Sequence, residues 1–301
     1  MQQLGDIGWM KKYTAYLKLE KSLSANTVEA YLKDVAKLSG FVGDDTSLIR
    51  VTPSMLETFF AQLRDVGINA RSQARILSGI KSFFRFLLLE EVIEADPTDY
   101  IDAPTIGRHL PEVLSLGEID SIIQGIDVSK REGQRNRAML ETLYSCGLRV
   151  SELINLKLSN CYFDDEYIQV EGKGGKQRLV PISRRAIDEI ERWLVDRSEW
   201  PVGKGQEDFV FLNRNGNALT RSMVFRIVQY QAGMAGIQRT ISPHTFRHSF
   251  ATHLLEGGAN LRIIQQMLGH ESIQTTEIYT HMDKTFLREQ ILSFHPRNSK
   301  P

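Results

Sequence analysis

The chain has 301 residues, with Lys+Arg and Asp+Glu both at 37 and a formal net charge of +0. A hydrophobic share of 42% with 25% charged residues is ordinary globular composition, which excludes a disordered chain, and the length suggests two cores rather than one. No run approaches the roughly 20 apolar residues of a membrane-spanning helix, and the opening MQQLGDIGWMKKY lacks a signal peptide's apolar core, so a cytoplasmic location is expected.

The first hundred or so residues read as helices. Val28, Tyr31, Leu32 and Val35 recur at helical spacing. In TPSMLETFFAQLRDVG, Thr52 is the expected N-cap and Pro53 opens the helix, while Leu56, Phe59, Phe60 and Leu63 share a face before Gly67 ends it. The following stretch, ARSQARILSGIKSFFRFLLL, has Ile76, Ile80, Phe83 and Leu87 as its buried stripe, with Arg71, Arg75, Ser78, Lys81 and Arg85 along another face. That basic stripe either binds phosphates or is a solvated surface. Pro97, Pro104 and Pro111 then interrupt the chain, and no helical period survives between Glu94 and Arg108. A helical domain over residues 1–93, an extended linker over 94–111 and a second domain over 112–301 are expected.

Ser115 and Glu118 form a capping-box signature where helices resume. Cys146 and Cys161 form no CxxC pair and are expected to be buried free thiols. YIQVEGKGGKQRLVPI, from Tyr167 to Ile182, reads as a β-hairpin that turns at Gly174-Gly175 and has a basic tip. Beyond Phe209 to Leu212 the pattern is helical again. The expected fold class is mainly α with a small β-sheet or hairpin.

The stretch SPHTFRHSFATHLL concentrates cationic and proton-transferring side chains on one helix, capped by Ser242 and opened by Pro243. His244, Arg247, His248 and Ala251 share one face; Phe246, Phe250, His253 and Leu254 take the other, where His253 is expected to be a satisfied buried histidine. His244 and His248 have metal-ligand spacing, but the general-base glutamate of HExxH is missing and Arg247 would repel a divalent cation, so no metal is expected. An arginine and a histidine near a helix N-terminus suit an anion instead. A phosphodiester needs bidentate donors for its nonbridging oxygens and proton transfer at its nucleophile and leaving group. SCGLRVSEL adds Arg149 after a Gly147 break, with Glu152 one turn on to orient it. LGHESIQTTEIYTHM ends a helix at Gly269, puts His270 in the turn, offers Ser272 as the next N-cap and carries Tyr279. Taken singly, each has a mundane reading: a surface ion pair, a C-cap, a half-buried tyrosine.

In their order and joint occurrence, GLRVSEL, GKGGKQRLVPI, HTFRHSFATHLL and LGHESIQTTEIYTH resemble the tyrosine recombinase (phage integrase) family and its Xer-type members. The resemblance implies a C-shaped clamp of a helical core-binding domain, SAM-like, and a catalytic domain. It implies that Arg149, Lys173, His244, Arg247 and His270 are catalytic and that Tyr279 is the nucleophile, leaving a 3′-phosphotyrosyl link and a free 5′-hydroxyl. His244 would transfer the nucleophile's proton, Lys173 would protonate the 5′-oxygen, and the two arginines would do the charge stabilisation often given to Mg²⁺, so no cofactor is required. Arg71, Arg75, Lys81 and Arg85, together with Lys176 and Arg178 of the hairpin, are the expected contacts to double-stranded DNA.

The tail HMDKTFLREQILSFHPRNSKP crowds Phe286, Leu287, Ile291, Leu292 and Phe294 onto a short helix. Folding back onto its own core is one reading; the resemblance implies docking into a neighbouring subunit, giving a homo- or hetero-tetramer on two DNA sites. A second recombinase of the same type and a septal DNA translocase are further partners it implies. The chain lacks room for an arm-site-binding domain before its first core helix, which favours a housekeeping recombinase that resolves chromosome dimers. A mobile-element integrase or plasmid resolvase, a relaxing type IB topoisomerase and a non-catalytic architectural DNA-binding protein are the alternatives.

Overall fold

The structure is a computed structural model that describes residues 2–43, 46–105, 112–172, 175–269, 289–291 and 293–297. Its contacts divide the chain into Met1–His109 and Leu110–Pro301, each with its own buried core. Among the described residues no helix is long and apolar enough to cross a membrane.

In the first unit, α1 (Gln2–Ala15) runs into a π-turn, and α2 (Ala25–Val42), α3 (Pro53–Asp65) and α4 (Ala70–Leu89) follow. Ser24, Thr52 and Asn69 cap α2, α3 and α4 by accepting from the backbone N–H groups of Thr27, Met55 and Ser72, which satisfies donors that a helix start leaves open. The apolar stripe of α4, Ile76, Ile80, Phe83 and Leu87, is buried against α2 as its spacing requires. Gly79 lets the two helices approach: a Cβ there would lie 3.0 Å from Asp34 Oδ2.

Residues 94–105, the described part of the expected linker, are not wholly extended. Asp96 Oδ1 accepts from the backbone N–H of Thr98 at 2.8 Å and from its hydroxyl at 2.6 Å, making a turn, and Ile101 joins the first core. Proline spacing reports the lack of a helix but not whether the chain packs.

In the second unit α5 (Leu116–Gln124) begins with the reciprocal Ser115–Glu118 capping box, and α6 (Gly133–Ser145) forms the buried centre against which α8 (Arg184–Ser198) and α10 (Pro243–Gly257) pack. Between them lie α7 (Val150–Ile154) and an antiparallel sheet in the order β1-β2-β3: β1 (Cys161–Tyr162), β2 (Tyr167–Glu171) and β3 (Gln177–Pro181). The hairpin register pairs Tyr167 with Pro181 and Val170 with Arg178. Helices α9 (Arg221–Met234) and α11 (Leu261–Leu268) also belong to the unit. Cys146 is fully buried and Cys161 partly so, both as free thiols.

Gly147 fixes where α6 gives way to α7. Its φ is +57°, and a Cβ built there would fall 2.3 Å from Phe250 Cδ1 on α10. Gly147→Ala is therefore expected to lower stability by about 3 kcal/mol or more, read as the shift in urea midpoint at constant slope.

Candidate active site

Arg149 sits at the N-cap of α7 in extended backbone, just past the Gly147 turn. Glu152, at the third position of α7, returns to it: Oε2 accepts from the Arg149 backbone N–H at 2.8 Å and Oε1 from Nη1 at 2.9 Å. The Glu152 side chain is 1% exposed, so its charge depends on partners. Burial pushes its carboxyl upward, but hydrogen bonds and charge from Arg178, with the contacts from Arg149, hold it below the ordinary value.

Arg178 reaches the same carboxylate from β3, donating from Nη1 to Oε1 at 2.7 Å and from Nη2 to Oε2 at 3.0 Å, while its Nε donates to the Met267 carbonyl at 2.9 Å. Arg247 arrives from the first turns of α10, its Nη1 donating to the Gly147 carbonyl at 2.7 Å and lying 3.8 Å from Glu152 Oε2. Its Nη2 donates to the Leu268 carbonyl, and Arg149 Nη2 donates to that of Gly269 at 2.9 Å. Three guanidiniums thus cap the consecutive carbonyls 267–269 at the end of α11, where the helix leaves acceptors open and its dipole is negative. Burial first, and then repulsion from Arg149, bring Arg247 down to about 10, so it stays cationic at neutral pH.

His244 lies on the exposed side of α10, one turn from Arg247. Partial burial, and after it the charges of His248, Arg247 and Arg149, lower its pKa from the ordinary value. A neutral imidazole at pH 7 can accept a proton. Arg149, His244, Arg247 and His248 line a cleft of about 410 Å³ together with Leu261, Ile264, Gln265 and Leu268 of α11. Two guanidiniums in one cleft suit a phosphate oxygen better than a cation.

Four of the expected catalytic and hairpin residues, Arg149, Arg178, His244 and Arg247, thus belong to one neighbourhood. Lys173, His270 and Tyr279 lie outside the described residues, as does Ser272. Lys176 is exposed next to the tip, where its carbonyl accepts from the Gly172 N–H at 2.7 Å. Arg178, expected at the DNA backbone, has a side chain only 17% exposed, and every guanidinium nitrogen is bonded inside the unit. Its register opposite buried Val170 turns it inward, a consequence of strand pairing that spacing alone did not convey.

On α4, Arg71, Arg75 and Arg85 are exposed and Lys81 is half-buried. Arg75 is nevertheless committed locally, donating from Nη1 and Nη2 to the fully buried Asp34 at 2.5 and 2.8 Å.

The tail also corrects an expectation. Ile291, expected at a subunit interface, is 1% exposed within the second unit's own core. His295 is buried between the rings of Tyr144 and Phe250, with centroids 5.0 and 5.3 Å away, and burial, reinforced by Arg297 and His253, pushes its pKa down to about 3. Arg297 donates from Nε to Glu141 Oε1 at 2.7 Å and from Nη1 to Asp120 Oδ1 at 2.5 Å. Phe286, Leu287 and Leu292 lie outside the described residues. His253 behaves as expected, buried with its Nδ1 2.8 Å from the Tyr144 hydroxyl. Glu141 and its tail partner escaped the sequence reading, although an acid among Met139, Leu140, Leu143 and Tyr144 was the available signal. Arg297→Ala leaves the fully buried Glu141 with Arg185 at 3.4 Å, and is expected to cost about 3 kcal/mol in urea unfolding.

Comparison with known proteins follows the same division of the chain. Residues 112–285 match the phage integrase family and residues 10–91 match the phage integrase N-terminal SAM-like domain. A tyrosine recombinase XerD from Chlorobaculum tepidum is 41% identical over 96% of this chain and 96% of its own length. The XerD of Pseudomonas putida is 41% identical over 93% of this chain and 95% of its own. Among solved structures, the XerH site-specific recombinase bound to its palindromic difH substrate, in a post-cleavage complex, superposes with a TM-score of 0.72 at 24% identity, covering 94% of each chain, and shares the fold. The chain belongs to the phage integrase family.

Proposed function

We propose that the chain is a site-specific tyrosine recombinase that cuts and rejoins double-stranded DNA through a 3′-phosphotyrosyl intermediate and resolves chromosome dimers during segregation. The observation that carries this reading is the pair of guanidiniums, Arg149 and Arg247, set with His244 around one cleft in a chain that matches XerD relatives along almost their whole length. A phosphodiester going through a pentacoordinate transition state gains charge on its nonbridging oxygens. Arg149 and Arg247 would stabilise that charge by about 3 kcal/mol each if they resemble oxyanion donors.

Tyr279 is the nucleophile in this reading. A phenol with a pKa of about 10 is mostly neutral at pH 7, so its attack needs a proton acceptor, the role of His244. Attack by the phenolic oxygen breaks the bond to the 5′-oxygen, which Lys173 protonates, and His270 adds a hydrogen bond to the phosphate. The phosphotyrosyl bond conserves the energy of the broken phosphodiester, so rejoining needs neither ATP nor a metal.

Arg71, Lys81 and Arg85 of α4 and Lys176 of the hairpin contact the DNA backbone. Residues 1–93 act as the core-binding domain, 94–111 connect it, and 112–301 carry the chemistry. The enzyme acts in the cytoplasm as a homo- or hetero-tetramer on two DNA sites, with a second recombinase of the same type and a septal DNA translocase as its further partners.

A nicked suicide duplex carrying the host's chromosome-dimer-resolution site tests the reading. Wild type should form an SDS-resistant protein–DNA adduct that Tyr279→Phe does not; an adduct surviving in the variant would assign the nucleophile elsewhere. Because His244 is lowered from its ordinary value, the base is lost only below it: the adduct rate at subsaturating protein should stay level down to about pH 6.5 and then fall. A fall centred above pH 7 would remove His244 from that role.

A further inference from the structure

The geometry points to Arg178 as a positioning residue for strand cleavage: from β3 it holds Glu152, and through Glu152 the Arg149 guanidinium, while its Nε fixes the end of α11. This rests on the reading of Arg149 as a phosphate ligand. Arg149 alone is poorly placed by its own backbone, since it sits at a helix start with its side chain 33% exposed. What orients its Nη1 is Glu152 Oε1 at 2.9 Å, and that same oxygen accepts from Arg178 Nη1 at 2.7 Å. The bidentate Arg178 pair sets the plane of the carboxylate, and so the direction in which it presents an oxygen to Arg149.

Two further features give Arg178 this task. Its Nε bond to the Met267 carbonyl at 2.9 Å ties β3 to the α11 terminus, whose next carbonyls, at Leu268 and Gly269, accept from Arg247 and Arg149. Movement of the hairpin that carries Lys173 in its sequence is thereby linked to the two arginines. Close approach is built in as well, since a Cβ at Gly269 would lie 3.3 Å from Arg178 Nη1 and 3.4 Å from Arg149 Nη1, at a residue whose φ is +63°. A cation serving only to neutralise Glu152 would need none of this.

Among the described residues the charged groups facing Glu152 are Arg149, Arg178 and Arg247. Removing Arg178 leaves burial, the largest upward push on Glu152, less opposed, so the carboxyl should protonate nearer neutrality. Protonated Glu152 holds Arg149 less well. A pH-dependent loss of rate is the signature that separates this role from a backbone phosphate contact.

The test uses the full chain on the suicide duplex, with Arg178→Gln and Arg178→Lys, measuring gel-shift affinity against salt and single-turnover adduct rate at saturating protein from pH 6 to 8.5. Arg178→Gln should leave affinity within about twofold and the salt slope unchanged, and slow the adduct by at least about tenfold, with the deficit deepest at pH 6. Arg178→Lys, which keeps the charge but cannot bond both Glu152 oxygens and the Met267 carbonyl, should fall between. A wild-type rate at saturation, or weaker binding with a log–log slope reduced by about 1, would overturn the proposal in favour of a phosphate contact. A rate loss of equal depth at every pH would overturn it in favour of simple packing. A second readout needs no DNA: with glutamate ¹³C-labelled at its side-chain carboxyl, and Glu152→Gln to assign the signal, the Glu152 titration should move upward in Arg178→Lys. An unmoved titration would overturn the proposal whether or not wild type forms an adduct, whereas a wild type that forms none would count against the tyrosine recombinase reading itself.

Discussion

The second unit depends on one buried carboxylate among three guanidiniums. Glu152, 1% exposed on its side chain, accepts from Arg149 and Arg178 and lies 3.8 Å from Arg247. Three cations so close would repel one another, and burial of a lone carboxylate would be costly; together the charges make each other tolerable. The excess positive charge faces the carbonyls 267–269, the negative end of α11. Arg149 and Arg247 are therefore held by protein acceptors that a phosphate oxygen can resemble in charge and geometry.

Four separate segments converge on this cluster: the α6–α7 turn, strand β3, the start of α10 and the end of α11. No local element brings them together. The turn at Gly147 is set by contact with Phe250 on α10, so the same packing that buries an aromatic ring also delivers the Gly147 carbonyl to Arg247. Core and site share one set of contacts, which is why a single methyl at Gly147 would disturb both.

The pairing of a buried acid with a more exposed arginine recurs. Asp34 holds Arg75 on α4 in the first unit, Glu141 holds Arg297 of the tail, and Glu152 holds Arg149, each acid being no more than 2% exposed. At Arg75 and Arg149, though not at the buried Arg297, the pattern lets a chain of formal net charge +0 present positive charge: the acid lies inside and sets the direction of a guanidinium that reaches outward. The tail adds a second consequence, since Ile291, His295 and Arg297 close over α6 and α10 within the same chain.

The sequence by itself determined the helices and their caps, because Ser24, Thr52, Ser115 and Ser242 act on neighbours three residues away and the apolar stripe of α4 is a matter of period. It also determined the hairpin and the residue types that suit a phosphodiester, since turn chemistry and helix-start chemistry are local. Only the tertiary structure decided what each cation does. Arg178 and Lys176 read alike along the chain and, two residues apart, lean to the same side, yet Lys176 stands exposed ahead of β3 while Arg178, inside the strand, reaches the buried Glu152. Arg71 and Arg75 lie on one stripe, yet only the packing of α2 on α4 puts Asp34 against Arg75. Ile291 suited either a neighbour or its own core, and beside it the unforeseen pair of Arg297 and Glu141, 156 residues apart in the chain, holds the tail on its own unit. Charge acts through distance in space, and the spacing of residues along the chain carries that distance only within a helix or a hairpin.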